Sequence, residues 1–491
     1  MQSITIFYVT ISMLLAVNQL YAQTYNIVDT GQSKCYNATQ QIAAPGAGDT
    51  FYGQDAQING IQPSYADNGD STITDLNTGL IWQKMLPGDK YSYTECVAYA
   101  DTCTLAGYTD WRLPTIKELY SLILFSGKTG MSETSSIAYL DTDYFDFRFG
   151  GTVNATERFI DAQYATSTIY KGTTMNGNET MFGVNFVDGR IKGYPTHKDF
   201  ELKLVRGGNN YGVNDFVDNG NNTILDKATG LMWDQAGSSA GMDWEAALAL
   251  AQQKNAESYL GYNNWRLPNA KELHSIVDYS RSLSFTNSAA CSPLFQVPII
   301  TDEKGDANYP FYWTSTTHDD GPLPSKAAYV CFGEALGYMN GNWLDVHGAG
   351  AQRSDPKAGD PDDYPTYHGP QGDVNRVFNY VRLVRDVDVT TDIGNRQSQE
   401  TSLPSHFELS QNYPNPFNPQ TVVHYRLPRD SIVRLEVFNL LGAEVATIVN
   451  GPQTVGSHSV VFDGSHLSSG VYFYTLTAGH FTQTRKMMLV K

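Results

Sequence analysis

Trp343, Asp345, His347, Arg353 and Asp355 bring the most varied chemistry of the chain into one glycine-rich stretch. An indole can stack on the face of a sugar ring, while a carboxylate and a guanidinium can bond its hydroxyls. Loops carried on a rigid scaffold often bind ligands, so these five are the candidate ligand-binding residues. The alternative reading is an ordered surface loop packed on a sheet. A His and two Asp also suggest a metal, but no helical or hairpin ligand spacing supports one. A second group, Asp67, Asp70 and Asp75 with Asp218 and Asp226, lies in two Asp-Asn-Gly turns whose oxygens could hold Ca²⁺. Its spacing is not that of a calcium loop closed by a bidentate Glu, and Asp and Asn are also the usual residues of tight turns. Gly237-Ser238-Ser239-Ala240-Gly241 matches the nucleophile pattern of serine hydrolases. The chain around it lacks their alternating parallel α/β order, and a loop is the expectation. No pair of reactive Cys is evident, and no catalytic residue is assigned.

The elements that must position these residues come in two copies. Asp67–Asp75 is echoed by Asp218–Asp226, Thr78-Gly79-Leu80-Ile81-Trp82 by Thr229-Gly230-Leu231-Met232-Trp233, and Trp111-Arg112-Leu113-Pro114 by Trp265-Arg266-Leu267-Pro268. Tyr164-Ala165-Thr166-Ser167-Thr168 returns as Tyr312-Trp313-Thr314-Ser315-Thr316, and Leu204-Val205-Arg206 as Leu383-Val384-Arg385. The offset is 151 at the first motif, 154 at the third, 148 at the fourth and 179 at the last, so copy two carries a late insertion around 347–371. A period near 150 is too long for a solenoid. The expectation is two whole domains, 60–207 and 212–387, each with its own core, after an N-terminal extension at 23–59.

Within each copy the Asp-Asn-Gly turn joins two short strands. A helix follows, capped by Ser92 with Glu95 in copy one and by Asp243 in copy two. Gly107 and Gly261 are the expected helix stops. A second helix starts after Trp-Arg-Leu-Pro, with Thr115–Glu118 and Asn269–Glu272 as capping pairs. Trp111 and Trp265 read as core anchors, and Arg112 and Arg266 as bidentate ties to a carboxylate. Strands then run to the closing Leu-Val-Arg, which makes the copies α+β. Cys96 and Cys103 would lie about 10 Å apart on a continuous helix, too far for a disulfide. Cys291 and Cys331 flank the Tyr312–Thr316 segment and are the better pair, leaving Cys35 over.

Charge narrows the partners. Lys and Arg total 33 against 51 Asp and Glu, a net of −18. From residue 405 onward the balance is 6 against 5, so the preceding chain holds 27 against 46, a net of −19. Such acidity argues against nucleic acid and other polyanions. Residues 1–22 read as a signal peptide, with an apolar run at 4–17 and small Ala22. No later run is long enough to span a membrane. Residues 388–404 read as a linker, and about seven short strands from residue 405 to the end suggest an immunoglobulin-like β-sandwich.

Two resemblances arise from these motifs. The C-terminal run Asn412-Tyr413-Pro414-Asn415-Pro416-Phe417, then Gly442, then Gly470-Val471-Tyr472, with basic residues at the end, resembles the type A sorting domain of the type IX secretion system. That implies recognition by the secretion machinery and delivery to the outer surface of a Gram-negative cell or beyond. The repeated motifs resemble the Lcl C-terminal domain family, named from a collagen-like bacterial adhesin. The resemblance implies relatives of the C-type-lectin and formylglycine-generating-enzyme folds, and glycan binding, notably of sulfated polysaccharide. The acidity here disfavours a polyanionic glycan; a neutral glycan or a surface protein is easier to support. The sugar-binding tripeptides of calcium-dependent lectins are absent. The expected architecture is therefore α+β: two tandem C-type-lectin-like domains followed by an immunoglobulin-like β-sandwich. The expected role is a binding protein without catalysis, in adhesion or glycan recognition, with a structural surface or matrix protein that binds protein partners as the alternative and an enzyme on a formylglycine-enzyme-like scaffold as a third, more remote one.

Overall fold

A computed structural model describes residues 25–208, 210–387, 407–409, 412, 415, 417–479 and 481–490. The expected signal peptide and linker lie outside them. The chain divides into two compact units, Met1–Val387 and Asp388–Lys491. Helices make up 12% of the chain and strands 34%, so it is mostly β with few helices.

In the larger unit the duplicated motifs build duplicated parts. Copy one forms an antiparallel sheet from Tyr65–Asp67, Thr72–Asp75, Ile81–Gln83 and the distant Val205–Arg206. Copy two repeats it with Phe216–Asp218, Thr223–Asp226, Leu231–Asp234 and Val384–Asp386. The closing Leu-Val-Arg thus returns beside the Gly-Leu-x-Trp strand: Val205 pairs Trp82, and Val384 pairs Trp233. Both indoles are fully buried. The tight turns need left-handed backbone, which Gly69 (φ +76°) and Gly220 (φ +73°) supply.

Local signals set the helices. Ser92 caps Tyr93–Thr102 in a reciprocal box with Glu95, and Asp243 caps Trp244–Ala256. Gly107 and Gly261 do not stop these helices directly; each closes a 3₁₀ turn that follows, Leu105–Gly107 and Tyr259–Gly261. The motif indoles bond those turns: Trp111 Nε1 donates to the Leu105 carbonyl at 3.0 Å and Trp265 Nε1 to that of Tyr259 at 2.8 Å. Arg112 grips Glu118 with two bonds of 2.7 and 2.6 Å, and Arg266 grips Glu272 with bonds of 2.6 and 2.7 Å. Each Glu is also the capping residue of the short helix beside it, Ile116–Ser121 or Ala270–Ser275.

The copies then merge. One six-stranded antiparallel sheet runs in the order Phe311–His318, Lys326–Cys331, Gln352–Pro356, Arg190–Pro195, Thr180–Asn185, Gln163–Tyr164. Three strands come from each copy, and the third strand of each meets the other at Ile191 and Gln352. The short helices lie across the same join. Lys117 Nζ donates to the Ser275 carbonyl at 2.7 Å, and Lys271 Nζ donates to the Ser121 carbonyl at 2.7 Å. Each Lys-Glu-Leu lysine thereby satisfies the last residue of the other copy's helix, where carbonyls lack partners within the helix. The Tyr120 and His274 rings, at matching positions, meet at 4.6 Å.

This corrects the expectation of two self-contained domains. Each copy does have a cluster of its own, around Trp111 and Phe200 in one and around Trp265 and Trp313 in the other. The largest core joins Trp82, Leu119 and Phe182 with Trp233, Leu273 and Val330, drawing on both copies. The proposed Cys291–Cys331 disulfide is also corrected: all five cysteines are free. Side chains alternate across a strand. Cys331 therefore shares the face of Tyr329 and Ala327, whereas Cys291 packs with Val330 and Ala328 in the other cluster.

The smaller unit has two antiparallel sheets. One holds Glu408–Leu409, Gln420–Leu427 and Gly456–Asp463; the other holds Glu444–Gln453, Ser431–Asn439, Gly470–Ala478 and Phe481–Leu489. Val423 and Tyr425 from the first sheet and Leu435 and Tyr474 from the second share one core.

Residues 212–387 expressed alone would bare both the joining strand and half of the shared core. That fragment is expected to aggregate or to melt without a cooperative transition, whereas residues 25–387 unfold in one step by circular dichroism. A cooperative melt of the fragment would contradict the shared core.

Candidate functional site

The late insertion folds as a small sheet. Leu336–Met339 and Asn342–Asp345 form a hairpin whose turn, Asn340-Gly341, has positive φ at both residues. Tyr367–His368 and Asp373–Val374 extend it on the other side. The hairpin register places Tyr338 directly opposite Trp343. Their rings meet at 5.0 Å, and Tyr367 closes a trio at 4.8 Å from Tyr338 and 6.0 Å from Trp343. Tyr367 is 43% exposed and the other two are partly exposed.

Below the rings lies a layer of buried charge. Strand Gln352–Pro356 is wholly buried although every residue but Pro356 is polar. Gln352 turns toward the Tyr120 hydroxyl, 3.1 Å away. Alternation sends Arg353 and Asp355 to the opposite face. Arg353 binds the Asp373 carboxylate and lies 2.7 Å from His347 Nε2. Burial pushes His347 down to about 4. Its Nε2 also lies 2.6 Å from Asp373 Oδ1, and its Nδ1 is buried without a partner. Asp345 accepts from the Tyr170 hydroxyl of copy one at 2.9 Å and from the Gly348 and Ala335 amides at 2.8 and 3.2 Å. Asp355 accepts from Asn379 at 2.8 Å. Burial pushes both carboxyls up to about 7.

Of the five candidate ligand residues, then, only Trp343 belongs to the aromatic face. Asp345, His347, Arg353 and Asp355 lie beneath it and fasten the insertion to the central sheet. The reading of Asp345 and Arg353 as partners for ligand hydroxyls is corrected, because their polar atoms face the interior. Tyr338 and Tyr367 were missed; the signal was a Tyr preceding, and another following, the glycine-rich run around Trp343.

The Asp turns hold themselves. Asp67 accepts from the Gly69 amide and Lys84, and Asp70 from the Thr72 amide and hydroxyl. Asp75 accepts from the Asn77 and Thr78 amides, Asp218 from the Gly220 amide and Gln235. Asp226 takes bonds from Asn214, Asp215, Ala228 and Thr229. These bonds serve the turns, and no group of three or more His, Cys, Asp or Glu among the described residues is placed to hold a metal ion. Ser238 donates to the Ala240 carbonyl and accepts from the Val381 amide, as a loop residue does.

One feature escaped the motifs altogether. A groove of about 910 Å³ opens on copy one, lined by Tyr93, Val97, Arg112 and Thr168, with Tyr211 and, from copy two, Phe216, Val277 and Tyr279 as its other wall. Its signal was the unequal length of chain ahead of each copy.

Residues 71–206 and 222–346 each match the model of the Lcl C-terminal domain. This chain belongs to the Lcl C-terminal domain family. The second match ends at residue 346, so it includes Trp343 and Asp345 but neither His347 nor Arg353. Residues 411–491 match the secretion system C-terminal sorting domain. No curated protein matches the chain. The sorting domain is of the type IX kind, which implies the secretion machinery as a partner and export to the cell surface or the extracellular space. No helix among the described residues is long and apolar enough to cross a membrane.

The sorting motif holds its own fold together. The Asn412 amide donates to the Tyr474 hydroxyl at 2.6 Å, and the Asn415 carboxamide accepts from the Met488 amide at 2.8 Å. Phe417 is buried and bridges the last strand at Leu489. Gly442, at φ +78°, ends a turn whose amides bond the Asn439 side chain. The Tyr472 hydroxyl donates to the Ser468 carbonyl at 2.8 Å, and strand Gly470–Ala478 places Gly470 at its start. Pro414 and Pro416 lie outside the described residues.

The raised carboxyl of Asp345 has a measurable consequence. The folded chain holds this proton more tightly than the unfolded one. Stability from the protonated form is complete below the ordinary value of 3.8 and is lost as pH rises to about 7. Asp345→Asn keeps an oxygen for the two amides and gives Tyr170 a donor in place of an acceptor. By scanning calorimetry its Tm is expected to equal the parent's at pH 4 and to exceed it by about 2–5 °C at pH 8.

Proposed function

We propose that this chain is an exported surface protein that binds glycans on the aromatic face formed by Tyr338, Trp343 and Tyr367, and that it carries out no catalysis. The observation behind this reading is that trio of rings, partly exposed and locked at 5–6 Å on a hairpin. Tyr and Trp give large, rigid contact area at small entropic cost. The C–H faces of a sugar ring match such a surface, and the buried ion layer beneath fixes its shape. Membership in a family with a surface-binding role and a sorting domain that carries the protein out of the cell agree with it. The acidic larger unit favours a neutral glycan over a sulfated one. The Asp turns hold no convergent ligand set, so the reading requires no Ca²⁺. Transit through the type IX machinery of a Gram-negative cell, then release or attachment at its surface, completes the proposal.

A glycan array probed with the purified chain tests it. Saturable binding to a narrow set of neutral glycans is expected, unchanged by chelator. Trp343→Ala is expected to weaken that binding at least tenfold without lowering Tm by more than a few degrees. An empty array, or full binding by Trp343→Ala, would remove the glycan reading.

A further inference from the structure

The two copies match closely enough that what covers one and leaves the other bare can be read position by position. Tyr93, Val97, Ala100 and Asp101 of copy one correspond to Trp244, Leu248, Ala251 and Gln252 of copy two, and Ser167-Thr168 to Ser315-Thr316. In copy two this surface is sealed: Leu248 is 1% exposed, and Ser315 and Thr316 not at all. In copy one it is the open groove: Val97 is 38% exposed and Ser167 lies on the surface.

The cover on copy two is the N-terminal extension. Phe51 sets its ring 6.1 Å from that of Trp244. The Gly48 amide and Asp49 carbonyl bond the two ends of the Gln252 carboxamide at 2.8 and 3.2 Å. Buried Asp55 accepts from the Thr316 hydroxyl at 2.5 Å and from Thr30 at 2.7 Å. Copy two is itself preceded by a segment in the matching place, since the Gly212 carbonyl accepts from Lys117 as the Asp29 carbonyl accepts from Lys271. That segment passes directly into the strand Phe216–Asp218. It contributes nothing like residues 31–60, so nothing among the described residues covers the groove.

The groove keeps the contacts a cover would use. Thr168 Oγ1 accepts from the Ile116 amide at 3.0 Å, as Thr316 Oγ1 accepts from the Ala270 amide at 3.0 Å. The Thr316 proton goes to Asp55; that of Thr168 has no acceptor among the described residues. Lys117 stands where Lys271 stands beside Asp55. Tyr93 and Val97 offer an apolar seat for a ring where Trp244 and Leu248 receive Phe51.

We infer that the groove on copy one binds a turned segment of a partner protein, shaped like the turns and 3₁₀ helix at 50–57, with an aromatic residue on Tyr93 and Val97 and, four residues later, an Asp or Glu on the Thr168 hydroxyl. The spacing is that of Phe51 and Asp55. The chain's own segments beyond the described residues do not fit: 388–406 has no Phe, Tyr or Trp, and no aromatic in 1–24 is followed four residues later by an acid. This inference is independent of the glycan reading, which concerns the insertion of copy two.

Selection of a random twelve-residue peptide library on the intact purified chain is the test. Peptides with Phe, Tyr or Trp followed four residues later by Asp or Glu are expected to emerge. Synthetic versions should bind at least tenfold more weakly to Val97→Arg, a change at a partly exposed position. Changing the peptide's acid to its amide should weaken binding severalfold, and Trp343→Ala should leave it unchanged. No enriched peptide, or equal binding by Val97→Arg, would overturn the inference. So would a dimer in sedimentation that Val97→Arg dissolves, which would give the groove to a second copy, or glycan binding lost in Val97→Arg, which would give it to a sugar.

Discussion

Two open sheet edges meeting is the contact on which the larger unit depends. A strand at the margin of a sheet presents unpaired amides and carbonyls and invites pairing with whatever edge is near. Arg190–Pro195 and Gln352–Pro356 are such margins in their own copies, and each protects the other. The pairing is antiparallel and joins like to like, so the two halves face each other about an approximate two-fold. Everything near that axis is then shared. The lysines exchange helix ends, Tyr120 meets His274, and the apolar residues beneath fuse into one core. The lysines carry a cost in this arrangement, for burial pushes Lys117 down to about 8 and Lys271 to about 7. A buried ammonium persists where several carbonyls converge on it, and here the convergence exists only when both copies are present.

The second constraint is the polar layer under the insertion. Arg190 with Asp320, Lys192 with Asp188, and Arg353 with Asp373 all lie on or beside the central sheet. Buried ion pairs contribute little net stability when complete, and their loss of one partner is severe. Several atoms of the layer are left without partners, among them Asp188 Oδ1, Arg190 Nε, His318 Nδ1 and Asp355 Oδ1. Such a layer specifies geometry more than it stabilises. A sheet fastened by directional bonds cannot slide, and the three rings above it are held in one relative arrangement.

Local rules made part of this legible from residues alone. The capping boxes at Ser92, Thr115 and Asn269 involve three consecutive turn positions, so sequence spacing and spatial spacing coincide. The bidentate Arg–Glu ties follow the same logic, with partners six positions apart across one tight turn. What failed depended on distance. Gln352-Arg353-Ser354-Asp355-Pro356 has the composition of a loop, yet it is a buried central strand because Tyr120 and Arg190 of the other copy join Asp373 and Asn379 of its own in supplying partners. Cys291 and Cys331 flank one segment but face opposite sides of a sheet whose alternation no spacing reveals. The shared core was hidden for the same reason: it is created by the meeting of two halves, and neither half's pattern announces the other.

Duplication followed by unequal decoration explains where binding surfaces arise. If the copies were identical, any groove would occur twice and any cover would be needed twice. Here residues 48–55 of the N-terminal extension cover copy two, and the aromatic insertion also belongs to copy two. The matching surface of copy one has no such cover among the described residues, while its Tyr170 supports the insertion by bonding Asp345. The two copies are thus unequal in duty although nearly equal in fold. The insertion's shape depends on copy one beneath it, so the aromatic face is a property of the joined pair. A binding surface of this kind cannot be transplanted with the copy that encodes it, because half of its footing is encoded in the other.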